Sequence, residues 1–286
     1  MAYGSPSRPE EVAAYLADIR SGRPTPPELV EELTERYRRI GGSPLNEITE
    51  RQRAALAHEL DMPVYVGMKH WRPSIADAVE QAVGDGAERL VGLVLAPHYS
   101  KMSIGGYRAR LERALAARAE LVFVESWHDH EPYLDLVADR VRGTDAHVVF
   151  TAHSLPARVV EKGDPYRDEL LETARLVAER AAVQSWSFAF QSASETGTPW
   201  LGPDILDELA ELRARDVRKV LVAPIGFVAD HLEILWDLDV EARALARELG
   251  LELERIPSLN DDPAFIAGLA ALVRQVAGTP SRIPTA

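Results

Sequence analysis

Four histidines and a file of carboxylates stand out because each follows a short β-branched run. HVVFTA (147–152) leads into His153-Ser154-Leu155-Pro156, and KVLVAP (219–224) into a loop carrying Asp230, His231 and Glu233. RLVGLVL (89–95) is followed by His98, and PVYVGM (63–68) by Lys69-His70. One histidine after a strand is most often a hydrogen-bonded loop residue. Several converging on one sheet edge point to a metal or proton-transfer site. Glu233, Asp237 and Glu241 recur at i, i+4 and i+8, which puts three carboxylates along one side of a helix. Like charges so spaced repel by about a few tenths of a kcal/mol. For Glu241 alone a solvated acidic face is the better reading. A ladder that starts at a strand-end cleft is also a path for a hard or borderline divalent cation. The imidazole of His153 beside Glu233 suits ferrous iron.

The segment 20–39 carries the opposite charge, with Arg20, Arg23, Arg36, Arg38 and Arg39 in an otherwise acidic chain. Some of these pair with Asp18, Glu31, Glu32 and Glu35 on helix surfaces; together they can hold carboxylates, because arginine binds them bidentately. Tyr3, Tyr37, Tyr107 and Trp200 offer flat contacts, with core packing as the default for each. No glycine-rich phosphate-cradling loop is present, which disfavours a dinucleotide or NTP enzyme. Ser154 lacks the flanking glycines of a nucleophile elbow.

The elements that position these residues alternate. Strands are expected at 63–68, 89–95, 120–125, 147–152, 186–191, 219–224 and 251–256, with amphipathic helices at 75–86, 107–119, 168–183 and 203–216. Apolar strands separated by crossover helices mean parallel sheets covered on both faces. Residues 1–4 (MAYG) read as the tail of a strand, so an upstream start is expected. Counting it gives eight strands, and two α/β halves meet near residue 142. The helical segment 7–60 breaks the alternation and reads as a lid or cleft wall. With 286 residues, 46% hydrophobic and 27% charged, the chain is an ordinary globular one. Its net charge of -13 argues against a general nucleic-acid binder. The absence of cysteine excludes disulfides, thiolate zinc sites and cysteine-ligated iron–sulfur clusters. No apolar run approaches the roughly 20 residues needed to span a bilayer, and a cytoplasmic location is expected.

At these residues the chain resembles the ferrochelatases, which insert ferrous iron into a porphyrin. The matching motifs are MAYGSP (1–6), RYRRIGGSPL (36–45), LAPHYS (95–100), TAHSLP (151–156), GDPY (163–166), FQS (190–192), WLGP (200–203) and APIGFVADHLEILWDLD (223–239). The resemblance implies an α/β chelatase-like fold of two Rossmann-like domains, 1–142 and 143–286. Each would hold a four-stranded parallel sheet flanked by helices, with the porphyrin cleft between them and the last helix (about 262–278) packing back on the first domain. It implies His153 and Glu233 as the catalytic pair facing the porphyrin centre, and His70, Asp237 and Glu241 as an outer metal path. Tyr3 would contact the iron from the other face, and Arg20, Arg36, Tyr37, Ser43 and Tyr107 would bind the porphyrin. It is closest to the monomeric Gram-positive type acting on coproporphyrin III. The alternatives are a protoporphyrin IX enzyme, a cobalt chelatase of the same fold, and a non-catalytic haem or porphyrin binder. Iron would be a substrate, with no resident cofactor. Two departures stand out: the strand is cut short before Tyr3, and FQS lacks a following arginine.

Overall fold

The computed structural model describes residues 1–194 and 197–278. Val12–Ile19 (α1), Pro27–Arg39 (α2) and Leu45–Leu60 (α3) form the helical segment, followed by Ile75–Gly84 (α4). Arg89–Gly92 (β1), Ile104–Leu115 (α5) and Glu120–Phe123 (β2) make a parallel β-α-β unit, and Glu131–Val141 (α6) follows. The second half runs His147–His153 (β3), Ala157–Glu161 (α7), Tyr166–Ala181 (α8), Trp186–Gln191 (β4), Ile205–Ala214 (α9) and Lys219–Ala223 (β5). A π-helix at Ile234–Ala242, then Arg243–Leu249 (α10), Glu252–Arg255 (β6) and Pro263–Gly278 (α11) complete it.

The second sheet is parallel throughout, in the order β4-β3-β5-β6. Its central strand β3 is apolar on both faces. Val148 and Phe150 enter a core shared with α6, α8 and α11, while Val149 faces one shared with α9 and the π-helix. That order has a functional consequence. After β4 the chain crosses back to the other side of β3, so the crevice at the carboxyl ends of β3 and β5 is a topological switch point, where ligands bind in open α/β sheets. His153 ends β3, and Glu233 caps the π-helix that follows the loop after β5. Gly226 lets that loop come close: a Cβ there would lie 2.5 Å from Ala152 Cβ.

The first half departs from the expected four strands. Only β1 and β2 pair regularly; residues 1–4 and 63–68 are extended segments joined by one bridge, Ala2 to Met68. Met1 N donates to Leu93 O (2.6 Å), Leu95 N to Met1 O (2.9 Å) and His70 N to Tyr3 O (2.8 Å). The amino-terminal residues are thus wedged between two other segments. Met68 N turns back to Pro73 O, and residues 63–67 and β1 both line an apolar cavity of about 590 Å³. Val64, Val66, Val79, Leu90 and Leu269 line it. Burial there holds the Met1 ammonium down to about 5.

The core runs continuously across residue 142, since α6 packs on α8 and α11 packs on α3 and α6. Arg51 pairs with Asp261 and Arg140 with Asp262 across the same seam. Among the described residues no helix is long and apolar enough to cross a membrane.

Candidate active site

The site begins with the end of β3. His153 Nδ1 lies 2.9 Å from Glu233 Oε2, and both side chains keep about a third of their surface exposed (35% and 33%). Burial alone would lower the His153 pKa, but the Glu233 charge and hydrogen bond outweigh it and raise it above 6.5. Burial likewise works against the Glu233 charge, yet His153 and His231 hold its pKa well below the usual carboxylate value. An ionised carboxylate only accepts, so Nδ1 carries the hydrogen, and in neutral His153 the lone pair sits on Nε2. Tyr166 OH donates to His153 O (2.9 Å) and fixes the strand end; Trp200 meets the imidazole edge-on at 6.4 Å.

His231 is the residue without a role in the sequence reading. Its Nδ1 donates to Ala229 O (2.9 Å), so Nε2 faces Glu233 Oε2 at 3.9 Å. Its place within the DHLE run was the available signal. Gln191 and Ser192, quoted above only as part of FQS, also join the site. Gln191 Nε2 donates to Glu233 O (2.9 Å), and Ser192 Oγ donates to Asp237.

Glu233, Asp237 and Glu241 do line one stretch of helix, but that helix is π and not α. Residues at i and i+4 in an α-helix drift by about 40° per repeat. The wider turn of a π-helix gives a drift of similar size and opposite sign, so the three carboxylates still keep to one side, and π segments recur at functional sites. Asp237 is buried, and burial followed by the Glu233 charge pushes its pKa up to about 7. Glu241 lies at the outer end, 3.8 Å from Arg36.

The structure does not bring His70 to this file. Its Nδ1 pairs with Asp18 Oδ2 (2.8 Å) and its ring lies 4.7 Å from that of Tyr3, because residues 68–70 hydrogen-bond to residues 2 and 3. His70 therefore sits beside Tyr3 and Asp18 on the first half's wall. Tyr3 is 40% exposed; burial of its hydroxyl, then the Glu233 charge, raises its pKa to about 12. Burial, with the Glu233 charge as a smaller addition, also raises the pKa values of Tyr15, Tyr37 and Tyr166. Lys69 lies over the Tyr107 ring at 4.8 Å, its pKa lowered to about 8 by burial and then by Arg110.

The expected porphyrin contacts divide. Tyr37 and Tyr107 are core residues, and Tyr37 OH shares a 2.8 Å hydrogen bond with Ser5 Oγ. Ser43 is buried too, its hydroxyl 3.4 Å from Leu45 N. Arg36 pairs with Glu32 (2.7 Å) and lies over Trp236, while Arg38 and Arg39 pair with Glu35. Arg20 donates only to Pro24 O, and Arg23 to Arg20 O. Among the described residues those two guanidiniums have no carboxylate partner.

A family model described as Ferrochelatase matches residues 1–277. The chain is 47% identical over 293 residues to a protein of Herpetosiphon aurantiacus named ferrochelatase, covering 96% of each. It is 40% identical over 297 residues to one of Geobacillus kaustophilus named coproporphyrin III ferrochelatase, covering 96% of this chain and 93% of that one. Among solved structures, SirB from Bacillus subtilis with Fe3+ matches with a TM-score of 0.62 at 16% identity, over 82% of this chain and 89% of that one. That likeness shows a shared chelatase-like fold: parallel sheets flanked by helices.

Proposed function

This chain belongs to the ferrochelatase family, and we propose that it inserts Fe(II) into coproporphyrin III, releasing two protons. The observation that carries the reading is the His153–Glu233 pair at the switch-point crevice, continued by a file of carboxylates.

A porphyrin turns both pyrrole N–H groups into the ring, where they block the metal. His153 Nε2 offers a lone pair to the first of these protons. As the imidazolium forms, its Nδ1–H bond to ionised Glu233 strengthens, an interaction made mainly in the transition state and so one that raises kcat. Asp237, with its pKa near 7, is suited to hold a proton at neutral pH. The same carboxylates attract the cation: Glu241 at the rim, then Asp237, then Glu233. Tyr3, kept neutral by a pKa near 12, presents a phenol from the opposite wall.

The substrate choice rests on charge. Coproporphyrin III bears four propionates, and Arg20 and Arg23 are cations whose hydrogen bonds go to neutral carbonyls. Relatives at 40% identity from Geobacillus kaustophilus and Halalkalibacterium halodurans carry the coproporphyrin name, which supports the same choice. The test is anaerobic absorbance during incubation with Fe(II) and either coproporphyrin III or protoporphyrin IX. A higher kcat/KM for coproporphyrin is expected. Equal values, or a preference for protoporphyrin, overturn the substrate assignment, and no insertion into either porphyrin overturns the activity.

A further inference from the structure

Two consecutive residues at the end of β4 tie the sheet to the carboxylate file. Gln191 is fully buried and has both ends of its amide engaged: Oε1 accepts from Thr151 Oγ1 (3.0 Å) and Nε2 donates to Glu233 O (2.9 Å). Its own carbonyl accepts from Ser154 N (2.8 Å), and it stands opposite His153 in the ladder. The backbone carrying Glu233 is thereby held in register with His153 by one side chain. Ser192 follows with φ +63°, a left-handed conformation that few non-glycine residues adopt. That turn aims its hydroxyl away from the strand and onto Asp237, where it donates to Oδ2. Among the described residues, no other side chain hydrogen-bonds to the Asp237 carboxylate.

We propose that Ser192 is a positioning residue for iron delivery: its hydroxyl fixes the Asp237 carboxylate in line between Glu233 and Glu241, and its left-handed backbone is the cost of that aim. The inference rests on the ferrochelatase reading and adds a residue on the metal side alone. Gln191 sets where the file begins and Ser192 sets how its middle member points. A buried carboxylate freed of its one hydrogen bond samples other rotamers, so the cation meets a gap in the path while the porphyrin wall is untouched.

The test uses the full chain with coproporphyrin III and Fe(II) under anaerobic conditions. Ser192→Ala keeps the backbone requirement and removes the hydroxyl; Ser192→Gly relieves the backbone and also removes the hydroxyl. Hydrogen bonds to charged groups are the strong ones, and both variants are expected to raise the KM for iron about tenfold. The KM for porphyrin should stay within about twofold, since no porphyrin-side residue is touched. Ser192→Asn, which tolerates the left-handed region and keeps a donor, should recover part of the loss. Asp237→Asn should raise the KM for iron, and Ser192→Ala should then add little on top of it. If Asp237→Asn raises the iron KM while Ser192→Ala and Ser192→Gly leave it unchanged, the positioning role is overturned. So is it if Gly and Ala differ sharply, which would trace the effect to the backbone. If Asp237→Asn itself leaves the iron KM unchanged, what fails is the carboxylate path beneath the proposal.

Discussion

Replacing Glu233 by Gln separates the charge of that side chain from its shape. Gln keeps an oxygen where His153 Nδ1 now donates at 2.9 Å, so the ring keeps its tautomer and its direction. What disappears is a full negative charge beside an imidazole that must become an imidazolium. Both groups are about one-third exposed, so an effective dielectric constant between 40 and 80 is appropriate in place of a dry-protein value. At 2.9 Å the lost attraction is then about 1.4–2.9 kcal/mol. Each 1.36 kcal/mol is tenfold in rate, so kcat should fall roughly 10- to 130-fold if the imidazolium is essentially formed in the transition state. The porphyrin KM should change little, because the amide fills the same volume. A second readout fixes the sign. The base form of His153 is required, so kcat of the unaltered protein rises with pH through a His153 pKa that lies above 6.5. Without the Glu233 charge burial acts unopposed by it, and the acid limb of the profile should move to lower pH. The assay is anaerobic stopped-flow absorbance from pH 5.5 to 8.5. A loss in kcat below about threefold, or an acid limb that stays put or moves upward, would refute the coupling of the pair.

Three further outcomes are expected. His153→Ala should lose about 10²–10⁴-fold in kcat, the usual contribution of a general base, while still quenching porphyrin fluorescence on binding; turnover within about tenfold of the unaltered protein would remove His153 from that role. Arg20→Ala should raise the KM for coproporphyrin III more than that for protoporphyrin IX, with the difference shrinking as salt is added, since exposed charges are screened over about 10 Å at 0.1 M; equal effects on both would deny Arg20 a propionate. The third concerns His98, whose Nε2 bonds to Thr173 Oγ1 (3.0 Å) while Nδ1 is buried without a partner among the described residues, burial depressing its pKa well below 6.5. The unfolded chain therefore takes up a proton below 6.5 that the folded one refuses, and stability falls with acid by up to about 1.4 kcal/mol per pH unit. Urea unfolding of His98→Gln at pH 7.0 and 5.5 should show a shallower decline than that of the unaltered chain, and parallel declines would exclude His98 as the cause.

What could be read from the sequence follows from how local the determining physics is. The strands of the second sheet were legible to within a residue or two, because a strand buried on both faces is a continuous apolar run: HVVFTA, WSFAFQ and KVLVAP match β3, β4 and β5. The first half was not so legible. PVYVGM is equally apolar, yet a strand needs a partner as well as a pattern, and here Met68 finds Ala2 and Ser74 through single bridges. No window of sequence records which neighbour a strand edge will meet.

The site divides along the same line. His153 and Glu233 announce themselves because strand-end position and residue type are both local properties. Their partnership is not local, spanning 80 residues, and it exists because β5 returns to the far side of β3. The surroundings of His70 are set by pairing in the same way: it too follows an extended segment, and that segment is hydrogen-bonded to residues 2 and 3, which places its imidazole beside Tyr3 and Asp18. The π-helix was not legible, because a spacing of four suits one side of an α-helix as well. Ile234, Leu238 and Ala242 are buried at intervals of four, and Glu233, Asp237 and Glu241 repeat in step beside them. A period of four lies between the 3.6 residues per turn of an α-helix and the wider turn of a π-helix. One stripe is then wholly apolar against the α9 core while the next, one residue earlier, is wholly acidic toward the crevice. The helix that seats Ile234 and Leu238 in the core thus carries three like charges along its neighbouring side, and burial, followed by the charge of Glu233 and then that of Glu241, raises the middle one to a pKa of about 7, at which it can exchange protons near neutrality.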